Sequence, residues 1–223
     1  LLHEDGHQEG VKTGYTRVGL KPCLHPLLAV LEEAKLVAGF WLRPGNTSCA
    51  NNIAAFTLEV LSRLPAWLKV RVVRADSGFC DNAWLDLLES RGLRYIVVAR
   101  LLSPLHKLIV RGMDWQPTEA RGVTVAEILH HEKGWSRPRR LIVVRHEIRE
   151  KKRAGGKKLI EIPGHLFQAL VTNLGDGRAP LAVWRDYNGR AGCECVIKEL
   201  DGDFALPKLI LSKFWATEAA LAL

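Results

Sequence analysis

Methionine is nearly missing from this sequence: Met113 is the only one in 223 residues, and the chain opens on Leu1. That start, and a final stretch FWATEAALAL that still has helical spacing, predict an internal piece of a longer protein. Disulfide chemistry is short of material as well. The five cysteines (Cys23, Cys49, Cys80, Cys193 and Cys195) are odd in number and contain no C-x-x-C pair. This argues against a disulfide framework and against a zinc knuckle, and it fits a reducing cytoplasm. No apolar run approaches the ~18 residues that a membrane span requires, and no charged-then-apolar leader opens the chain, so a soluble, non-secreted protein is expected. Internal repeats and low-complexity tracts are absent too. Acids are in relative deficit: 24 aspartates and glutamates stand against 32 lysines and arginines, a net charge of +8.

What is present is enough apolar material for a core, 48% of the residues. The length suits one large domain, or one domain carrying an insertion, at ~100–200 residues per domain. A folded basic chain has polyanions as its first candidate partners; the plainer alternative is an ordinary basic surface.

Residues 1–17, LLHEDGHQEGVKTGYTR, are polar and glycine-punctuated, as in a loop at a strand edge. Two apolar runs, Leu27–Leu31 and Leu36–Leu42, flank the polar break Glu32–Lys35 and predict an antiparallel hairpin, although the first run also suits a helical turn. Gly45 to Ser48 make a loop and helix start, and helical spacing continues through Ile53, Phe56, Leu58, Val60 and Leu61 until Pro65. The valine-rich run from Val70 reads as a strand that stops at Asp76. A helix follows from about Asn82, with Asp81 as its N-cap and Gly92 at its end, and then the strand RYIVVA. Two strands, a helix, then strand, helix and strand predict a mixed α/β core.

From about Ser103 the character changes. Short β-like runs at Leu141–Val144, Leu159–Ile162 and Phe167–Thr172 predict antiparallel strands on charged hairpins, inserted into the core or appended to its edge as a separate layer. The basic segment Arg149–Lys158 is either a solvated hairpin tip or a nucleic-acid contact. The expected division is therefore 1–102 as the first part of the core, 103–174 as a β-rich insertion and 175–223 as the final, helical part of the core.

Asp76 is the first candidate for chemistry. A carboxylate at a strand C-terminus is held rigidly yet faces solvent, and open α/β sheets place their sites there; the alternative is an aspartate that merely starts a turn. The second candidate group lies in WRDYNGRAGCECVIKELDGDF, Trp184–Phe204. Read as a helix from about Asn188 with Tyr187 at its start, it sets Arg190, Glu194 and Lys198 at i, i+4 and i+8 on a polar stripe. Cys193, Val196, Ile197 and Leu200 fall on a face that packs inward. Solvent salt bridges would account for the same stripe. His3, His7, His25 and the pair His130-His131 are too scattered for a metal site, and ADSGF lacks the G-x-S-x-G pattern of a serine nucleophile.

RADSGF at a strand end, with YNGRAGCECVIKEL on a downstream helix, resembles the DDE transposases of bacterial cut-and-paste insertion sequences. GHQEG from Gly6, HPLL from His25 and LRPGN from Leu42 are also similar to segments of that family, so the resemblance spans nearly the whole chain. It implies a ribonuclease H-like α/β fold: a mixed sheet flanked by helices, with a β-rich insertion before the final catalytic helix. In that family a Y-x2-R-x3-E helix supplies the last catalytic carboxylate and phosphate-gripping side chains, and Tyr187, Arg190 and Glu194 match its spacing. The family's lysine seven residues beyond the glutamate is replaced here by Asp201, so Lys198 is expected to serve. The resemblance also implies an aspartate just before the G-x-Q-E-G segment. That position would fall a few residues before Leu1, since Glu4 and Asp5 stand too close to the Gly6 turn, and this chain alone is expected to be inactive.

The implied activity is cutting and joining of DNA ends, with Asp76 and Glu194 as catalytic ligands of Mg2+ or Mn2+. Hard cations take oxygen donors, and two such ions together polarise the attacking water and neutralise the leaving 3′ oxygen. Tyr187, Arg190 and Lys198 would hold phosphates, arginine through its bidentate fork. The implied partners are transposon-end and target DNA and a second copy in a homodimer on DNA, with no membrane; the implied location is a bacterial cytoplasm and its nucleoid. Two rival expectations are a non-catalytic DNA-binding remnant and a ribonuclease H-like nuclease without joining activity.

Overall fold

The computed structural model describes residues 7–16, 19–148, 161–162, 164–189, 191–202 and 211–222. They fall into two compact units, residues 69–189 and residues 1–68 with 190–223.

The first unit is built on a seven-stranded mixed sheet. Its strands are β5 (Val72–Ala75), β6 (Arg94–Val98), β7 (Gln116–Pro117), β8 (Val123–His130), β9 (Arg139–Glu147), β10 (Glu161–Ile162) and β11 (His165–Thr172). They run in the order β5-β6-β11-β9-β8-β7, with β10 paired to β11. Only β5 and β6 pair in parallel, Ala75 opposite Val97. Every other pairing is antiparallel, including β6 with β11, where Val98 faces Leu170. The strands expected as a separate layer therefore continue the sheet of β5 and β6, and their central position is legible in their burial. Tyr95, Ile96 and Val97 of β6, and Leu141 through Val144 of β9, are fully buried without alternation, as strands covered on both faces must be.

Helices supply the covers. Helix α2 (Asn82–Ser90) begins as expected, with the Asp81 carboxylate accepting from the Trp84 amide at 3.1 Å. It ends in a Schellman turn: Gly92 takes φ +66°, and the Leu93 amide donates to the Leu88 carbonyl at 2.9 Å. Its buried residues Trp84, Leu85 and Leu88 form one stripe, and Glu89 of this helix accepts from the Tyr95 hydroxyl, which places it on the Tyr95 face of the sheet. The alternate residues Ile96, Val125, Ile142, Val144 and Leu170 form a core with Val183 and Tyr187 on the other face. Those two belong to α4 (Pro180–Asn188).

Three elements of this unit departed from expectation. Ser103–Arg111 is a helix, α3, opened by Pro104 in its first turn and buried through Leu105 and Ile109; it begins the segment that was expected to be β-rich, and no helix was expected there. Strand β8 was not singled out either; its sequence VTVAEILH and its burial break period-2 alternation after Val125. Helix α4 precedes the one expected from Asn188, so Tyr187 sits in the last turn of α4 rather than at the start of the next helix.

The second unit contains two antiparallel hairpins. The pair β3 (Leu27–Leu31) and β4 (Leu36–Trp41) is the predicted one, with a bulge after Ala29. It forms a two-stranded sheet of its own. The pair β1 (Lys12–Thr16) and β2 (Gly19–Cys23) occupies sequence that had read as loop. Helix α1 (Ile53–Arg63) starts later than Ser48, after Asn52 in a left-handed conformation, and stops before Pro65 as expected. Gly39 of β4 lets α1 approach, because a Cβ there would collide with Val60, and Trp41 packs edge-on against Phe56 at 5.4 Å. Arg43 is buried and donates to the carbonyls of His25, Ser48 and Asn51, tying the LRPGN turn into the unit. Helices α5 (Ala191–Gly202) and α6 (Phe214–Ala222) complete it.

Candidate active site

Strand β5 ends at buried Ala75, and the next residue, Asp76, keeps extended backbone angles (φ −80°, ψ 177°). Its Oδ1 accepts from the Gly78 amide at 2.7 Å and so caps the 3-10 turn Ser77–Phe79. The turn-starting role and the candidate catalytic role thus coexist in one side chain. One oxygen orients the carboxylate; among the described residues no partner engages Oδ2. Ser77 beside it is buried, while Asp76 itself is partly exposed.

The neighbouring parallel strand ends alongside. Two residues past β6, exposed Arg100 donates from Nε to the Ser77 carbonyl at 3.2 Å, so its guanidinium is held next to the Asp76 turn. Sequence reading missed Arg100; the signal was available, since it follows RYIVVA at the same end of the sheet as Asp76. Between these strand ends and the turn after β8 lies a cavity of ≈ 250 Å³, lined by Cys80, Asp81, Arg100, Leu102, His130 and Trp135 among others. Burial pushes the Cys80 thiol up from its ordinary value, against the smaller opposing pull of Arg100. A protonated, half-buried thiol is a poor nucleophile. His130 is bonded to Glu132 at 3.2 Å and packs edge-on to Trp135.

A second group of acids, Asp86 and Glu89 on α2, is already neutralised. Arg139 donates to Asp86 at 2.6 Å and to Glu89 at 2.8 Å, and Arg137 adds a contact to Glu89 at 3.4 Å. Carboxylates so committed are not open to a cation. Among the described residues no group of three or more His, Cys, Asp or Glu side chains could hold a metal ion. The Asp76 carboxylate is a hard oxygen donor of the kind that Mg2+ or Mn2+ takes.

The remaining candidates are distributed differently. Tyr187 is 6% exposed, its ring within the core formed by Ile96, Val125 and Leu170. Lys198 is exposed on α5, and Glu194 lies on the same helix, one turn before it. Arg190 and the side chains of Glu194 and Asp201 lie outside the described residues, so the expected facing of Asp76 and Glu194 falls there too. The inward face of α5 is narrower than predicted: Val196 is buried, but Ile197 is 46% exposed.

Compared with known families, residues 5–223 match the model described as transposase DDE domain group 1. The chain belongs to the transposase DDE domain group 1 family. No curated protein matches it. As a DDE transposase domain, the chain is a transposase-type catalytic domain with DNA as the implied partner. Its described helices include none long and apolar enough to cross a membrane.

Proposed function

We propose that this DDE domain cuts and joins DNA ends, and that Asp76 and Glu194 are its catalytic carboxylates within a ribonuclease H-like arrangement. The observation that carries the reading is Asp76 itself: a carboxylate at the end of a parallel strand, oriented by one backbone amide, with an arginine fixed beside it, in a chain that matches the transposase DDE family from residue 5 to residue 223. Asp76 and Glu194 would hold Mg2+ or Mn2+, which when bound activates the attacking oxygen and neutralises the leaving one. The chain's own part is to position phosphates. In this reading Arg190 and Lys198 bind phosphate oxygens together with Arg100, whose bond to the Ser77 carbonyl positions its charge before the reaction begins. Tyr187 takes part through its hydroxyl alone, since its ring is packed in the core. Two DNA ends are processed by a homodimer in this reading, and 103–174 is the inserted segment of the domain.

The test is cleavage and strand transfer by the intact protein on end-matched DNA with Mg2+. Asp76→Asn and Glu194→Gln each remove charge and keep shape; each should abolish cleavage and leave DNA binding in place. Cleavage near the parent rate by either variant would remove that residue from the site. DNA binding without any cleavage by the parent would favour a binding remnant, and cleavage without joining a nuclease.

A further inference from the structure

Strand β9 contains three arginines, and one of them is partnered unlike the others. Arg139 donates to Asp86 and Glu89, and Arg140 to Glu127 at 2.8 Å. Arg145 has no acid: its Nε donates to the Thr124 hydroxyl oxygen at 2.8 Å, and its guanidinium lies over the Trp115 ring, 4.4 Å from the centroid. Trp115 is backed in turn by Phe167 at 5.8 Å. Among the described residues no carboxylate pairs with Arg145 and neither Nη1 nor Nη2 has a hydrogen-bond partner, so a half-buried cation is held in place with two donors to spare.

The sheet register shows what surrounds it. Pro117, Thr124, Arg145 and Phe167 are successive cross-strand partners on β7, β8, β9 and β11, and alternation along β9 sets this row on the Tyr95 face, opposite to Ile142 and Val144. Glu147 and His165 are partners in the next row on that face, and the Glu147 amide donates to the carbonyl of Gly122, which contributes no side chain there. The two rows line a cavity of ≈ 320 Å³, with Ala120 and exposed Arg121 also on its wall. That volume is at the small end of ligand cavities, which run from about 300 to 1,000 Å³.

Charge selects the occupant. A partly buried guanidinium without an anion is unfavourable, and with Nε already bonded its remaining edge, Nη1 and Nη2, matches the two oxygens of a planar carboxylate. The Thr124 hydroxyl accepts from Nε and keeps its own proton to donate. Glu147 is engaged in a contact of its own. Arg121 and Arg145 against Glu147 leave one net positive charge on the wall, the complement of a monoanion and not of a dianion such as phosphate.

We propose that this cavity binds a small monocarboxylate with an apolar body, its carboxylate on Arg145 Nη1 and Nη2 and the Thr124 hydroxyl, its body against Pro117 and Ala120. The site shares no residue with Asp76, Arg100, Arg190, Glu194 and Lys198, and it does not rest on the reading of the protein as DNA-cutting.

Benzoate is the probe, titrated calorimetrically into the intact protein beside benzyl alcohol and inorganic phosphate. Benzoate should bind with a Kd on the order of 1 mM, and benzyl alcohol, which has the ring without the charge, about tenfold more weakly or worse. Arg145→Lys keeps the charge and loses the planar fork, and should weaken benzoate about tenfold; Arg145→Gln should remove measurable binding. Melting reports folding and gives a second readout, since benzoate well above its Kd should raise the melting temperature of the parent and not that of Arg145→Gln. Should Arg145→Gln fail to fold, Arg145→Lys decides: a tenfold loss supports the fork, and parent-like affinity overturns it. The proposal also fails if the parent binds no benzoate at tens of millimolar, takes benzyl alcohol equally well or phosphate more tightly, or if folded Arg145→Gln binds benzoate like the parent. Displacement of benzoate by a short DNA duplex would assign the cavity to a nucleic-acid surface and overturn the proposal as well.

Discussion

Arg139→Leu should cost the unit 69–189 about 3 kcal/mol. The Arg139 side chain is 2% exposed and donates to Glu89 Oε1 at 2.8 Å, Asp86 Oδ1 at 2.6 Å and Asn82 Oδ1 at 3.0 Å. Removing it strands Glu89, whose side chain is 14% exposed, with the Tyr95 hydroxyl and the solvated Arg137 as remaining partners. Breaking a buried pair from one side costs about 3–5 kcal/mol, because a charge is left without compensation. Asp86 is 32% exposed and can rehydrate, which sets the loss at the low end. Arg139→Lys keeps the charge but not the planar fork and should lose about half as much. The triple variant Arg139→Leu, Asp86→Asn, Glu89→Gln should recover part of the loss, since no unpaired charge remains. Urea unfolding followed by tryptophan fluorescence would measure all three. The pH dependence carries a sign. The Ser136 hydroxyl first, and then Arg139, hold the Asp86 carboxyl below the usual aspartate range. A depressed carboxylate stabilises above its unfolded value, about 3.9, and that contribution disappears as pH falls through the folded value. The gap between parent and Arg139→Leu should therefore narrow in acid. A loss under about 1 kcal/mol at neutral pH, or a gap that widens in acid, would refute the argument.

The remaining predictions concern both units. Burial lowers the pKa of His146, whose ring lies tilted against Trp184 at 5.3 Å; its contribution is present above about pH 6.5 and is lost as pH falls. His146→Phe should flatten the melting temperature across that window, and an unchanged pH profile would count against the buried neutral ring. Burial first, and then the bond to Glu89, push the Tyr95 phenol upward, so stability should decline as pH rises past about 10, where the unfolded chain ionises and the folded one does not. Tyr95→Phe should remove that decline in alkaline melts. Gly14→Ala should destabilise by about 1–3 kcal/mol through overpacking against Gly45, read as a lowered melting temperature, whereas Gly19→Ala meets no neighbour and is disfavoured only by its φ of +108°.

Much of the local architecture could be read before any fold was known. Helix α2 announced itself through Asp81 at its start, Gly92 at its end and the Trp84, Leu85, Leu88 stripe between, all interactions within a few residues of one another. The β3–β4 hairpin was readable for the same reason, and so was Asp76, since a strand that stops at a carboxylate before a glycine turn is a local pattern. The short helices α3 and α4 were not: each rests on two buried residues, too few to set a period. Nor was the β1–β2 ribbon, whose glycines and lysines look like loop until Gly14 meets Gly45.

Other features depend on partners far along the chain. Arg139 and Arg140 have the composition of surface residues, yet both are buried: Arg139 finds its acids some 50 residues earlier, and Arg140 its carbonyls at Leu174 and Gly175 some 34 residues later. Tyr187 was placed by its motif spacing, but its burial follows from the sheet face that α4 covers. That β6 pairs with β11, and so joins the later antiparallel strands to the strand pair that leads to Asp76, follows from backbone hydrogen bonds between residues more than 70 apart. Local patterns can state which residues form a strand or cap a helix; which strands become neighbours is settled by the summed burial of both faces, and that sum exists only once the chain has folded.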